Sequence, residues 1–128
     1  MKKGVEDLVI WQRAMDLAVS IYALSGAPGF DRDRDFRGQM RRSAVSIPSN
    51  LAEGYEKGSL KDSIKFYYIA KGSTGELRTQ CLLAGRVGHL TKEEANRSAD
   101  ECSQISRMIM GFIQKTRELE AARAVRRD

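Results

Sequence analysis

Residues 39–55, QMRRSAVSIPSNLAEGY, decide the fold of this chain. Their apolar side chains recur at steps of three and four residues, which is the spacing of one face of an α-helix. That face carries Met40, Ala44, Ile47, Leu51 and Tyr55. The stretch therefore predicts a long amphipathic helix.

Pro48 stands inside this pattern. A proline in a helix interior removes one backbone hydrogen bond and crowds the carbonyl four residues before it, at a cost of about 3 kcal/mol. The helix therefore either stops near Ile47 or continues with a bend. Because the apolar register runs on through Leu51 to Tyr55 without a phase shift, we predict one continuous helix that is bent at Pro48.

Small and polar residues surround the proline. Small side chains, among them Gly54, allow a neighbouring helix to approach closely. A more polar row borders them, consisting of Arg42, Ser46, Ser49 or Asn50, and Glu53. Because this row lies beside the small residues, we predict a partly buried hydrogen-bond network there and not a catalytic site.

The same stretch carries a resemblance to a known family. The strings DLVIWQRAMDLAVSIYALS before it, RRSAVSIPSNLAEG within it and SLKDSIKFYYIAKGSTGELRTQCLLAGRVGHL after it resemble the four-helix-bundle proteins encoded in intervening sequences of the bacterial 23S ribosomal RNA gene. The resemblance covers residues 7–112. Arg34, Gly75 and the basic residues after Glu120 depart from the usual pattern of that family.

The resemblance implies a closed four-helix bundle that assembles into a pentameric ring and has no established enzymatic activity. The architecture is also similar to that of the accessory proteins of diversity-generating retroelements, which are basic pentameric bundles. Those proteins bind a reverse transcriptase and its nucleic acid. The partners that the resemblance implies are therefore further copies of this chain, RNA or DNA, and a reverse transcriptase.

Length and composition favour one helical domain. A chain of 128 residues can bury roughly two-thirds of its unfolded surface in one core. Helical periodicity, together with capping boxes at Ser59–Asp62 and Thr91–Glu94 and a stop at Gly88, places helices at about 9–25, 35–57, 60–87 and 92–118. Since short connections make neighbouring helices antiparallel, we assign residues 1–128 to one all-α, up-down-up-down four-helix bundle. The basic tail, 120–128, is either a helical extension used by a partner or a frayed end.

The net charge and the cysteine content indicate the compartment of the protein and the kind of partner it has. Lysine and arginine number 22 against 17 aspartates and glutamates, an excess that favours a nucleic-acid or acidic-protein partner but also serves simple solubility. No apolar run approaches the roughly 20 residues that span a bilayer, and MKKGVED at the start lacks the apolar region of a signal peptide. We therefore expect a cytoplasmic protein without membrane contact. Cys81 and Cys102 are expected to be buried free thiols.

Three groups of basic residues are predicted to be exposed and to bind nucleic acid. The first is a row on the second helix, the second surrounds the start of the third helix, and the third belongs to the tail. The groups are Arg34, Arg37 and Arg41; Lys57, Lys61 and Lys65; and Arg123, Arg126 and Arg127. A ring repeats each group in every subunit, so that weak phosphate contacts add together. The alternative is a solvated face whose cations pair with nearby acids.

Several apolar and small residues carry structural predictions. Trp11 is more often a core anchor than a ligand platform, and Phe30 is expected to fold back onto the bundle. Gly72 lies in the middle of the third helix, where a glycine costs about 1 kcal/mol relative to alanine, so we predict a close helix crossing there. Four apolar residues outside the helix stripes favour a homo-oligomer. They are Val19, Val45, Tyr68 and Leu83.

The sequence argues against an enzyme. His89 is the single histidine and has no partner set for catalysis. Asp31, Asp33 and Asp35 resemble the opening of a calcium loop, but Phe36 takes the place of its glycine and the distal glutamate is missing. We predict no cofactor, no metal and no catalytic residue.

The prediction for function is a non-catalytic oligomeric adaptor or scaffold with a basic surface that binds nucleic acid or a nucleoprotein partner. The alternatives are a protein-only scaffold and an accessory subunit of a retroelement reverse transcriptase.

Overall fold

The computed structural model describes residues 4–127, and the side chain of Arg127 is not among the described groups. It contains helices and no strand within that part of the chain. The four α-helices are α1 (Val9–Leu24), α2 (Arg34–Tyr55), α3 (Leu60–Arg86) and α4 (Lys92–Arg127). Two short 3-10 helices, Val5–Asp7 and Pro28–Arg32, precede α1 and α2.

The helices pack in the order of the chain, and α1 closes the bundle by contacting α4. Tyr22 near the end of α1 lies under the guanidinium of Arg41 near the start of α2. Early residues of α3 likewise meet late residues of α4, as the hydrogen bond between the Arg117 guanidinium and the Tyr68 hydroxyl shows. Neighbouring helices are therefore antiparallel, and the predicted up-down-up-down four-helix bundle is confirmed.

Pro48 is buried inside α2, which runs without interruption from Arg34 to Tyr55. The prediction of one continuous helix through the proline is confirmed. The apolar face of α2 supplies fully buried side chains on both sides of Pro48, Met40 and Ile47 before it and Leu51 after it. Burial of this face stabilises the helix across the lost hydrogen bond, since each large apolar side chain contributes about 1.5–3 kcal/mol.

The core is continued by the other helices and by the first connection. Phe30 is fully buried, and its ring centre lies 4.9 Å from that of His89 and 6.1 Å from that of Phe36. The 3-10 helix that carries Phe30 thus folds back onto the bundle, as predicted. Other fully buried side chains are Ile21, Leu77, Ile105, Ile109 and Ile113.

The helix ends follow the predicted capping signals. The Ser59 hydroxyl accepts a hydrogen bond from the Asp62 backbone N–H at 3.2 Å. Thr91 and Glu94 form a reciprocal capping box, with side chain to backbone distances of 2.9 and 3.1 Å. Gly88 follows α3 with a φ of 86°, which only glycine adopts without strain.

Helix α4 is longer than predicted. It continues to Arg127, whereas the sequence prediction placed its end at 118. After residue 118 the chain reads LEAARAVRR up to Arg127. Leucine, alanine, glutamate and arginine are strong helix formers, and no glycine or proline stops the helix there. Within the described part, the basic tail is helical, and its use by a partner stays a prediction.

Gly54 and Gly72 differ in the space that surrounds them. A Cβ atom on Gly54 would lie 2.5 Å from Cε1 of Tyr67 and 3.0 Å from the backbone oxygen of Ser63, so α2 and α3 do approach closely there. A Cβ on Gly72 or Gly75 would meet nothing within 4 Å. The predicted close crossing at Gly72 is therefore wrong within the subunit, because Gly72 and Gly75 lie on the exposed side of α3.

A polar network does join α2 to α3. The hydroxyls of Ser46 and Ser73 lie 2.8 Å apart, and the Asn50 amide donates to the Ser46 backbone oxygen at 2.8 Å and to its hydroxyl at 3.0 Å. Arg42 and Glu53 lie outside this network, which corrects the sequence prediction for both. Each precedes a residue of the α3-facing side by one position, and one position turns a side chain by about 100° around the helix.

Candidate nucleic-acid interface

The first basic group, at the start of α2, is largely engaged within the subunit. Arg41 donates from Nε to the Ser25 hydroxyl at 2.8 Å and from Nη2 to the Tyr22 backbone oxygen at 3.1 Å. Arg37 pairs with Asp31 at 3.1 Å. Arg34 is exposed and makes no hydrogen bond or ion pair with the described residues. Arg41 therefore ties the end of α1 to α2, and of this group Arg34 alone keeps its guanidinium free within residues 4–127.

The second group, around the start of α3, is exposed. The Lys57 ammonium lies 3.5 Å from the Glu53 carboxylate and 4.7 Å from the centre of the Phe66 ring. Lys65 pairs with Asp62 at 3.7 Å, and Lys61 has no partner in the described part of the chain. Such exposed pairs are worth about 0–1 kcal/mol, so these ammonium groups can exchange their carboxylates for phosphates at little cost.

The third group lies on the last turns of α4. Arg123 and Arg126 are exposed, and the side chain of Arg127 lies outside the described groups. Because α3 and α4 are antiparallel and Tyr68 meets Arg117, the end of α4 and the start of α3 share one end of the bundle. The structure thus brings the second and third groups to the same end. The first group lies at the opposite end, beside the end of α1.

A further basic surface, which was not predicted from the sequence, lies along the seam between α3 and α4. Arg86 and Lys92 line a groove of about 630 Å³. Arg78 and Arg107 line a notch of about 250 Å³ between the same two helices. Arg117 follows beside Tyr68. Neither the groove nor the notch has an aspartate or glutamate among its described lining residues. We call this surface, Arg78, Arg86, Lys92, Arg107 and Arg117, the basic seam.

The other side of α4 is acidic. The groove between α1 and α4, of about 500 Å³, contains one cation, Arg97, among its described lining residues. Its acidic lining residues are Asp16, Glu94, Asp100 and Glu101. Arg13 of α1 donates from Nε to the Glu101 carboxylate at 3.1 Å, and this hydrogen bond raises the pKa of Arg13. Helix α4 therefore separates a basic surface from an acidic one.

The basic seam is difficult to predict from the sequence because its cations are separated from one another along the chain. Only the antiparallel packing of α3 against α4 brings residues such as Arg78 and Arg107 to one place. One signal was available. Residues 63–86 contain four cations and one acid, Glu76, a balance that favours a basic exposed side of α3.

Comparisons with known proteins identify the family of this chain and a solved structure with a similar fold. A family model described as 23S rRNA-intervening sequence protein matches residues 6–111. The chain belongs to this family. A crystal structure of a protein with unknown function from the S23 ribosomal protein family of Bacteroides thetaiotaomicron is similar, with a TM-score of 0.74 and 22% identity. The match covers 82% of this chain and 98% of the other, and at this identity it shows the fold alone. A comparison with curated proteins gave no match.

Most of the basic seam lies within the residues that the family model matches. Arg78, Arg86, Lys92 and Arg107 fall within residues 6–111, whereas Arg117 and the basic end of α4 lie beyond them. No group of three or more metal-ligating side chains occurs among the residues that the structure describes. No helix in that part is long and apolar enough to cross a membrane.

An apolar groove of about 500 Å³ lies between α1 and α2. Trp11 is half-buried, packs against the core and lines this groove with Val19 and Val45. Val19 is 67% exposed and Val45 41%, and on α3 Leu83 is 47% and Tyr68 39% exposed. The four apolar residues singled out in the sequence therefore do face solvent in the single subunit.

The two cysteines are free and buried, as expected. Cys102 lies on α4 behind the notch, and its hydrogen bond with Cys81 and its burial raise the pKa of the Cys102 thiol. The thiol therefore stays neutral at physiological pH. These sulfurs belong to the packing between α3 and α4.

Proposed function

We propose that the protein is a non-catalytic, cytoplasmic, oligomeric adaptor whose basic surface binds the phosphate backbone of RNA or DNA, alone or within a nucleoprotein partner. The observation that carries this proposal is the separation of charge by α4. The described lining residues of its α3 side include cations and no acid, whereas four acids line its α1 side. A net charge of +5 spread evenly serves solubility, but cations gathered along one seam create a local positive potential that attracts polyanions.

The basic end of the bundle extends this surface. Lys61 and Lys65 at the start of α3 and Arg123 and Arg126 at the end of α4 are exposed at the same end as Arg117. Phosphate contacts of this kind position a nucleic acid without reading its bases. We therefore expect binding that tolerates any sequence and that weakens steeply with salt.

Oligomerisation is the second part of the proposal. The apolar groove between α1 and α2 and Ile69, which is 50% exposed on α3, lie on different sides of the subunit, and Ile69 is not among the described lining residues of the basic seam. Two different surfaces that bind each other produce a ring when the rotation between subunits closes, and the family resemblance implies five subunits. A ring multiplies every phosphate contact and raises the overall affinity without any new contact.

Charge reversal at the basic end tests the proposal. We expect the variant Lys61→Glu, Lys65→Glu, Arg123→Glu, Arg126→Glu to bind a fluorescein-labelled single strand of RNA or DNA about tenfold or more weakly than the wild type at about 50 mM salt. Each reversal removes an attraction to phosphate and adds a repulsion. Fluorescence anisotropy measures the affinity.

The control is Arg42→Glu with Arg97→Glu, since Arg42 is exposed on α2 and Arg97 lines the groove between α1 and α4. For each reversed charge, it should lower the affinity much less than the reversal at the basic end. Light scattering after size exclusion checks that wild type and variants have the same mass, a multiple of the 14.3 kDa subunit. A wild type that binds no nucleic acid at low salt supports the protein-only scaffold instead, and a monomeric mass removes the ring.

A further inference from the structure

The notch between α3 and α4 is rich in hydrogen-bond donors without acceptors. Arg78 of α3 donates from Nε to the Ser103 hydroxyl of α4 at 3.0 Å. That bond holds the guanidinium plane across the notch, and its remaining N–H groups have no partner among residues 4–127. The Ser103 hydroxyl accepts from Arg78 and keeps its own proton to donate.

A second set of donors comes from the next turn of α4. Arg107 is exposed and makes no hydrogen bond or ion pair with any described residue. Ser106 is half-buried and its hydroxyl is likewise without a described partner. The notch therefore combines two guanidinium groups with two free hydroxyl protons, and its described lining residues include no carboxylate.

Gly75 leaves the notch open on the α3 side. A Cβ there would meet nothing within 4 Å, so no side chain fills the space beside Arg78. The notch has a volume of about 250 Å³, which is roughly eight times the share of one water molecule in the liquid. A tetrahedral oxyanion fits this space together with some of its water.

We propose that this notch binds a phosphate group, held between Arg78 and Arg107 and hydrogen-bonded by Ser103 and Ser106. Guanidinium groups match phosphate oxygens with two parallel hydrogen bonds. Arg86 and Lys92 continue the basic seam towards one end of the bundle and Arg117 towards the other, so a backbone phosphate in the notch places its neighbours along further cations. The inference rests on the proposed function, since it names the place on the basic surface where the nucleic-acid backbone binds.

The test compares the double variant Arg78→Gln, Arg107→Gln with a control double variant, Arg42→Gln, Arg97→Gln, whose residues are exposed on α2 and in the groove between α1 and α4. Both double variants remove two positive charges from exposed positions, so both should keep the wild-type melting curve. Anisotropy titrations of a labelled single strand of about 20 nucleotides, repeated between about 50 and 200 mM salt, give the slope of log affinity against log salt. Loss of the one backbone phosphate that the two guanidinium groups share should reduce that slope by about 0.7 in the notch variant. The control should keep the wild-type slope.

A second measurement separates a nucleic-acid phosphate from a free one. Titration calorimetry with inorganic phosphate, on wild type and on the notch variant, reports whether the notch holds the free anion. A reduced slope identifies the backbone phosphate as the ligand. An unchanged slope with phosphate binding that the notch variant loses identifies a free phosphate.

The notch proposal and the proposed function fail separately. If the notch variant keeps both the slope and the phosphate binding of the wild type, or if the wild type binds neither the strand nor phosphate, the notch is not a phosphate site. If the wild type binds inorganic phosphate in the notch but no nucleic acid, the result supports the notch as a phosphate site and contradicts the adaptor function. Gly75→Glu gives an independent check, because a carboxylate in the notch should reproduce the loss, while Gly72→Glu one turn away should have a smaller effect.

Discussion

Replacing Phe30 with alanine is expected to destabilise the bundle by about 3–5 kcal/mol. The Phe30 side chain is fully buried although it belongs to the connection between α1 and α2. Its ring packs against His89 and Phe36, so truncation removes the apolar burial and leaves a cavity that rigid helices can fill only in part. Urea unfolding followed by circular dichroism, at one fixed protein concentration, measures the loss in free energy of unfolding.

Val9→Ala is the control for Phe30→Ala. Val9 is 61% exposed on α1, and surface substitutions of this kind change stability by about 0.5 kcal/mol or less. A loss below about 1 kcal/mol for Phe30→Ala would show that the connection does not contribute to the core, since a buried phenylalanine costs far more than that to truncate.

Gly54→Ala is expected to destabilise the protein by about 1–3 kcal/mol, as overpacking of a core does. The new Cβ would lie 2.5 and 2.8 Å from two ring atoms of Tyr67 and 3.0 Å from the Ser63 backbone oxygen. The Tyr67 ring is itself buried and packs 5.0 Å from Phe112, so it has little room to move. The helices must separate to admit one methyl group.

Gly72→Ala should have the opposite sign. Its Cβ meets nothing within 4 Å, and alanine is better than glycine in a helix interior by about 0.5–1 kcal/mol. Both variants add the same methyl group to a helical glycine, so the difference between their free energies of unfolding isolates the close contact of α2 with α3. Two stabilising changes would contradict that contact.

The fold could be predicted from the sequence where a local signal and a long-range one agree. The apolar register on both sides of Pro48 required one helix, and the buried face of α2 supplies the packing that holds it together. The Ser59 and Thr91 caps are likewise local and were correct. Gly72 was misassigned because a glycine in a helix permits a close approach without requiring one, and the rotation of α3 that turns it to solvent is set by the other helices.

The candidate site could be predicted less well, because exposure can be read from a helix pattern but partners cannot. Lys61, Arg123 and Arg126 are exposed as expected. Arg41 was assigned to the surface by the same reasoning, yet its donors end on α1, which is distant in sequence and adjacent only in the folded bundle. The basic seam has the same origin, since Arg78 and Arg107 become neighbours through the packing of α3 against α4.

The most direct test of the central claim is the salt dependence of nucleic-acid binding by the wild-type protein. We predict binding to single-stranded RNA and DNA of unrelated sequence at about 50 mM salt, and a loss of affinity of about 100-fold or more by about 200 mM, because several cations per subunit replace counterions on the backbone. Absence of binding at about 50 mM salt, or an affinity that does not change over this range, would contradict the account of the protein as a basic adaptor for nucleic acids.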